Sequence, residues 1–223
     1  MMKKTIYVAV LGLVLLLILF LFLRADNSFS DTKNLSVVEV REYQGEKLSS
    51  VNDFRENSIK GAQYVNLTDY HLEVSGLVEE PKKYTYEEVI EKQSYEKVIT
   101  LHCVEGWDAT ILWKGILVRD LLDEVKPSKE ANTVILYAYD GYSTSFPIEY
   151  FYDNDILMAY EMNNATIIPA RGFPFQLVAE SKWGYKWIKW ITKIELSSDA
   201  NYTGYWESRG YSHTGNLSEG FLE

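Results

Sequence analysis

Cysteine is almost absent: Cys103 is the only one in 223 residues. An intramolecular disulfide cannot form, and zinc or iron–sulfur sites built from several thiolates are excluded. There is no Cys-x-x-Cys-His segment, so haem is not attached through that motif. Positive charge is also scarce. Lys plus Arg total 22 against 32 Asp plus Glu, a formal net charge of -10, which argues against binding along a nucleic-acid backbone. No repeat at a fixed period is visible. What is present is 47% hydrophobic and 14% aromatic, enough to bury a core and unlike a disordered chain, with one domain as the simplest reading.

The first 24 residues carry Lys3, Lys4 and Arg24 and no acid, leaving 19 bases against 32 acids in the remainder. From Thr5 to Leu23 no residue is charged, and at about 1.5 Å per residue this tract spans roughly 28 Å, the thickness of a bilayer core. Residues 1–24 are therefore expected to be a membrane anchor. Lys3 and Lys4 place the N-terminus in the cytoplasm and the body outside. A cleaved signal peptide is the rival reading, although Leu23-Arg24-Ala25 is a poor cleavage site. Residues 25–36 are polar and aperiodic, a tether, and residues 37–223 form the folded domain. Sequons beginning at Asn34, Asn66, Asn164, Asn201 and Asn216 are compatible with an exported surface.

Strand signals outnumber helix signals. Tyr70–Gly76 alternates apolar and polar residues, Val98–Cys103 reads as a buried strand ending at the cysteine, and Phe175–Ala179 and Trp187–Leu196 are further strands. Val134–Tyr139 and Tyr142–Phe146 are joined by Asp140-Gly141, a strong hairpin dipeptide. Thr85 and Glu88 form a capping box for one short helix; Val118–Val125 places Leu121, Leu122 and Val125 on one face of another, stopped by Pro127. The expected fold is a mixed, β-rich α+β domain.

Two tryptophan-rich stretches stand out, Cys103–Trp107 with Trp113-Lys114-Gly115, and Lys182–Trp190. An aromatic core with snorkelling lysines explains them by itself. Gly106, Gly172 and Gly184 interrupt these and neighbouring bulky segments, as tight turns or a close backbone approach to a ligand require.

The series Leu101–Trp107, Trp113-Lys114-Gly115, Leu121-Leu122, Asp140-Gly141-Tyr142, Arg171-Gly172-Phe173-Pro174 and Gly184–Trp190 resembles the molybdopterin-binding oxidoreductase domain of the sulfite oxidase superfamily. The likeness covers roughly residues 40–210, including Gly204-Tyr205-Trp206-Glu207. Among shorter members the chain is similar to the catalytic subunit of protein-methionine-sulfoxide reductase and related anchored proteins. The resemblance implies a molybdenum-molybdopterin cofactor, with Cys103 as the metal ligand. A soft thiolate suits such a metal, and one protein ligand suffices when the cofactor supplies the other sulfurs. It further implies cofactor contacts from Asn52 and Arg55 in an Asn-x-Phe-type segment, and from Gly184, Tyr185 and Lys186.

Several positions depart from the family pattern. The cation usual in the Gly-x-Pro-x-Arg segment is Gln176 here, and Arg171, five positions upstream, is the candidate to replace it. The Ser or Thr that commonly follows the tryptophan is Asp108, and a threonine of the methionine-sulfoxide reductases aligns with Ala138. Asp108 and Asp140 are candidate proton-handling groups, and Tyr142, Tyr205 and Trp206 candidate walls. Cys–His nucleophilic chemistry is disfavoured, since His102 and Cys103 are strand neighbours pointing to opposite faces. The expected function is two-electron oxygen-atom transfer on a small molecule or an oxidised side chain, with electrons exchanged through a membrane partner carrying haem or linked to quinone. The alternatives are an envelope binding protein that keeps the fold without the cofactor, and a glycan or peptide binder with exposed tryptophans.

Overall fold

The computed structural model describes residues 39–223. The expected anchor, residues 1–24, and tether, residues 25–36, lie outside the described residues. Among the described residues no helix is long and apolar enough to cross a membrane.

Two five-stranded sheets carry the fold. The first runs β4 (Lys82–Tyr84), β3 (Leu72–Gly76), β12 (Ile191–Ser197), β7 (Thr133–Ala138), β8 (Ser143–Pro147); β12 and β3 are parallel and the other neighbours antiparallel. The second centres on β6 (Asp108–Leu117), flanked by β5 (Tyr95–His102) and β9 (Leu157–Met162). The far edge of β9 is shared by β10 (Ala165–Thr166) and β11 (Gln176–Val178). A small hairpin of β1 (Glu42–Tyr43) and β2 (Glu46–Lys47) precedes them, and the helices among the described residues are short: α1 (Tyr86–Ile90), α2 (Val118–Val125) and α3 (Glu149–Asp153).

Local chemistry explains the elements. At α1, Glu88 N–H donates to Thr85 Oγ1 at 3.2 Å and Thr85 N–H donates to Glu88 Oε2 at 2.8 Å, closing the capping box. On α2, Val118, Leu121, Leu122 and Val125 are wholly buried, each worth roughly 1.5–3 kcal/mol of transfer free energy. Gly115 lies where β6 shifts register against β9; a Cβ there would meet the Met158 carbonyl oxygen at 2.1 Å, so no larger residue fits.

The strand expected over Trp187–Leu196 begins only at Ile191. Its first residues spend their backbone donors elsewhere: Trp187 N–H on Gly184, Ile188 N–H on Lys186 and Trp190 N–H on Gly172. A 3-10 turn over Gly184–Lys186 and the left-handed conformation of Trp190, φ +52°, keep this stretch off the sheet and against the second sheet's end. Trp113, Trp187 and Trp190 are buried, which removes them as an exposed binding platform.

Candidate active site

β5 ends at His102, and the chain reverses through Cys103–Gly106. Cys103 N–H donates to Trp107 O at 2.9 Å, Gly106 N–H donates to Cys103 O at 3.0 Å, and Gly106 takes φ +84°, a conformation that costs glycine little. The turn leaves Cys103 8% exposed with its side chain on a cavity of about 390 Å³, within the usual range of small-molecule sites. Asn57 Nδ2 lies 3.6 Å from Cys103 Sγ. Burial pushes the thiol pKa up; the Glu105 backbone N–H pulls it back, the Glu105 carboxylate raises it, and Asn57 and Arg55 lower it.

Opposite, Gly184 brings the 3-10 turn against the cysteine: a Cβ at this position would sit 3.1 Å from His102 O and 3.5 Å from Cys103 Cα. Arg171 is buried in the cavity wall. Its Nε donates to Val51 O at 2.7 Å, an Nη2–H donates to Phe54 O, and the guanidinium lies 3.9 Å from the Phe54 ring centroid. Burial lowers its pKa and Glu56 opposes that shift. Lys189 Nζ pairs with Glu56 Oε1 at 2.6 Å, burial again lowering its pKa and the Glu56 hydrogen bond opposing. Asp140, 2% exposed, accepts Tyr142 N–H through Oδ1 at 2.9 Å.

Several polar groups on the wall have no partner among the described residues: Arg171 Nη1, the Gln176 side-chain amide and Asp140 Oδ2. None of these atoms is fully buried, so each is open to a polar ligand in the cavity. A pterin needs donors and acceptors for its ring edges, a cation for its phosphate, and a thiolate at its metal. The wall supplies each, and the residues fit the group.

Residues 60–206 match the oxidoreductase molybdopterin binding domain family. The chain belongs to this family. It is 33% identical over 153 residues to the uncharacterized oxidoreductase YuiH of Bacillus subtilis, covering 68% of this chain and 77% of that one. It is 28% identical over 178 residues to the protein-methionine-sulfoxide reductase catalytic subunit MsrP of Campylobacter jejuni, covering 72% of this chain and 60% of that one. The crystal structure of the sulfane dehydrogenase SoxCD from Paracoccus pantotrophus shares the fold, with TM-score 0.62 and 22% identity over 69% of this chain and 43% of that one. The chain thus spans less than two thirds of MsrP and under half of the SoxCD chain.

In this molybdopterin-binding oxidoreductase, Cys103, Arg55, Asp140, Arg171, Gly184 and Tyr185 all line one cavity, together with Tyr142 and Trp206. Four residues expected at the site lie elsewhere, one being Tyr205, which packs on Tyr142 at 5.9 Å between centroids but does not line the cavity. Asn52 is exposed in a turn, its own N–H bound to Ser50 Oγ at 3.2 Å. Asp108 starts β6 with an exposed carboxylate 2.7 Å from His102 Nδ1, outside the wall. Lys186 has no exposed side-chain surface: its ammonium is saturated by Ser145 O at 2.8 Å, Glu207 Oε1 at 2.7 Å and His213 O at 3.1 Å. Asn57, Glu56 and Lys189 were not anticipated. Asn57 sits five positions past Asn52 in the same loop, so the Phe54-Arg55 landmark carried the only signal, and Lys189 lies in a stretch without periodicity.

Proposed function

We propose that this oxidoreductase is anchored in a membrane by residues 1–24, with its catalytic domain outside the cytoplasm, and transfers an oxygen atom to or from a small molecule or an oxidised side chain. The reading rests on one observation: the only thiol of the chain faces a cavity that also presents the unpartnered Arg171 Nη1, Gln176 amide and Asp140 Oδ2. Bound there, a molybdenum-pterin supplies two-electron redox chemistry and exchange of an oxygen atom. Cys103 is the residue to hold the metal, with Asn57 orienting the sulfur. Arg171 and Gln176 are placed to hold the cofactor's polar edges, Arg171 contributing the positive charge that Gln176 lacks. Asp140, fixed by Tyr142 N–H, keeps one oxygen free to accept or return a proton at the substrate. Trp107, its ring tilted against Phe54 at 5.5 Å between centroids, limits water in the cavity.

The composition favours an external electron carrier, because the chain has no second cysteine and no haem-attachment motif. A membrane partner carrying haem or coupled to quinone fits the anchor, which raises the local concentration of the two. The kinship to MsrP supports an oxidised side chain as one substrate class. Gln176 and Ala138, where the family pattern has a cation and a threonine, favour the second reading, a binding protein without cofactor. Molybdenum and pterin analysis separates them: full-length protein from a cofactor-producing host should carry near-stoichiometric molybdenum, and Cys103→Ala markedly less. Wild-type protein free of molybdenum under those conditions would leave the binding-protein reading standing.

A further inference from the structure

The matched family region stops at residue 206, yet the cavity wall does not. Tyr211 lies beyond the match and, with Trp206, lines the cavity; both are half-buried. Their rings pack at 4.9 Å between centroids, and Tyr211 meets Tyr185 edge-on at 5.1 Å. The segment 204–223 is irregular, but it is pinned along its length to the turn that abuts Cys103. Tyr185 OH donates to Ser212 O at 2.7 Å, Trp183 N–H donates to Gly215 O at 2.8 Å, and Leu217 N–H donates to Ser181 O at 3.0 Å. Gly215 is required for the fit, since a Cβ there would fall 2.5 Å from Lys186 Cγ.

The charge on this cavity is already balanced. Arg55 pairs with Glu105 at 3.7 Å and Lys189 with Glu56 at 2.6 Å, and the carboxylate of Asp140 on the same wall offsets Arg171. A small anion would thus enter without an excess of positive charge to meet it, whereas an uncharged group with an apolar face gains contact with the two rings.

We propose that the C-terminal strap is the specificity element of the site, with Tyr211 the residue that limits the size of what reaches Cys103 and an uncharged, apolar-faced compound as its substrate. This rests on the function proposed above. Because Cys103 is the only thiol, thiol reagents applied to the full-length chain report on this cavity alone. Protein from hosts with and without cofactor synthesis is treated at one pH with iodoacetamide, iodoacetate and N-(1-pyrenyl)maleimide.

In cofactor-free protein, Tyr211→Ala should raise the pyrenylmaleimide-to-iodoacetamide rate ratio about tenfold, with iodoacetamide itself changed by less than about twofold. Tyr211→Phe, which keeps the ring, and Tyr152→Ala, on α3 outside the cavity wall, should leave the ratio at the wild-type value. Iodoacetamide should be favoured over iodoacetate by more than it is with free glutathione. A ratio unmoved by Tyr211→Ala, or a preference for iodoacetate, overturns the proposal. Cofactor-loaded protein tests the underlying reading separately: protection of Cys103 there is expected from ligation, and equal labelling of loaded and cofactor-free protein contradicts the ligand role without touching the size ratios.

Discussion

Lys186 Nζ lies 2.7 Å from Glu207 Oε1, with the two side chains 0% and 1% exposed. Thr144 Oγ1 donates to the same carboxylate oxygen at 2.6 Å, so one buried cluster joins β8, the turn beside Cys103 and the C-terminal strap. Burial pulls the Lys186 pKa down and the Glu207 carboxylate opposes it. Removing only the cation strands a buried carboxylate whose second oxygen already lacks a partner. Lys186→Met should therefore lower stability by about 3–5 kcal/mol, and Lys186→Met with Glu207→Gln should recover part of the loss. Urea midpoints at constant m-value measure both; a neutral single variant would show that the pair does not hold the strap.

Lys182 predicts a pH dependence. Burial lowers its pKa from 10.5 to about 8, with Lys186 adding repulsion. Between those values the unfolded chain binds more protons than the folded one, so this group makes stability rise with pH from about 8 to 10.5 and penalises folding below about 8. Lys182→Met should flatten that part of the stability profile relative to wild type. Equal slopes in the two proteins would contradict the burial argument.

Asn57 is the group 3.6 Å from the Cys103 sulfur. Asn57→Ala should weaken retention of molybdenum by about 10–100-fold during dialysis against chelator, the usual effect of removing a partner that orients a metal ligand. Asn57→Asp should do worse, because a carboxylate beside the thiolate adds repulsion. Retention equal to wild type in both would separate Asn57 from the ligand.

Arg171 gives a prediction that tests its charge and shape together. Its Nε and one Nη2–H hold the Val51 and Phe54 carbonyls, leaving Nη1 for the cofactor. Arg171→Lys keeps the charge but not the planar fork. Pterin content should fall in Arg171→Lys and fall further in Arg171→Gln, read by fluorescence of the released, oxidised pterin. Equal content in wild type and both variants would assign the phosphate contact elsewhere.

Local signals in the sequence carried well. Val118–Val125 was legible as a helix because its apolar residues keep one face, and Thr85 with Glu88 because capping is a short-range interaction. The Asp140-Gly141 turn and the strand ending next to Cys103 follow from equally local chemistry. β6 and β9 left little trace, since strands buried on both faces lose the alternation that marks a half-exposed one. The site was half legible. Cys103, Arg171 and Gly184 sit in motif-bearing turns, whereas Asn57, Glu56 and Lys189 meet only through contacts across the chain, Lys189 and Glu56 being 133 residues apart. Lys186 misled for a physical reason: beside a glycine-aromatic turn its charge resembles a ligand contact, but the fold neutralises it internally.

The most direct test is X-ray absorption at the molybdenum edge of purified full-length protein, compared with Cys103→Ser. Ligation by Cys103 predicts a sulfur shell that loses one scatterer in the variant, with the dithiolene sulfurs kept. An identical sulfur shell in both molybdenum-loaded proteins would contradict the account.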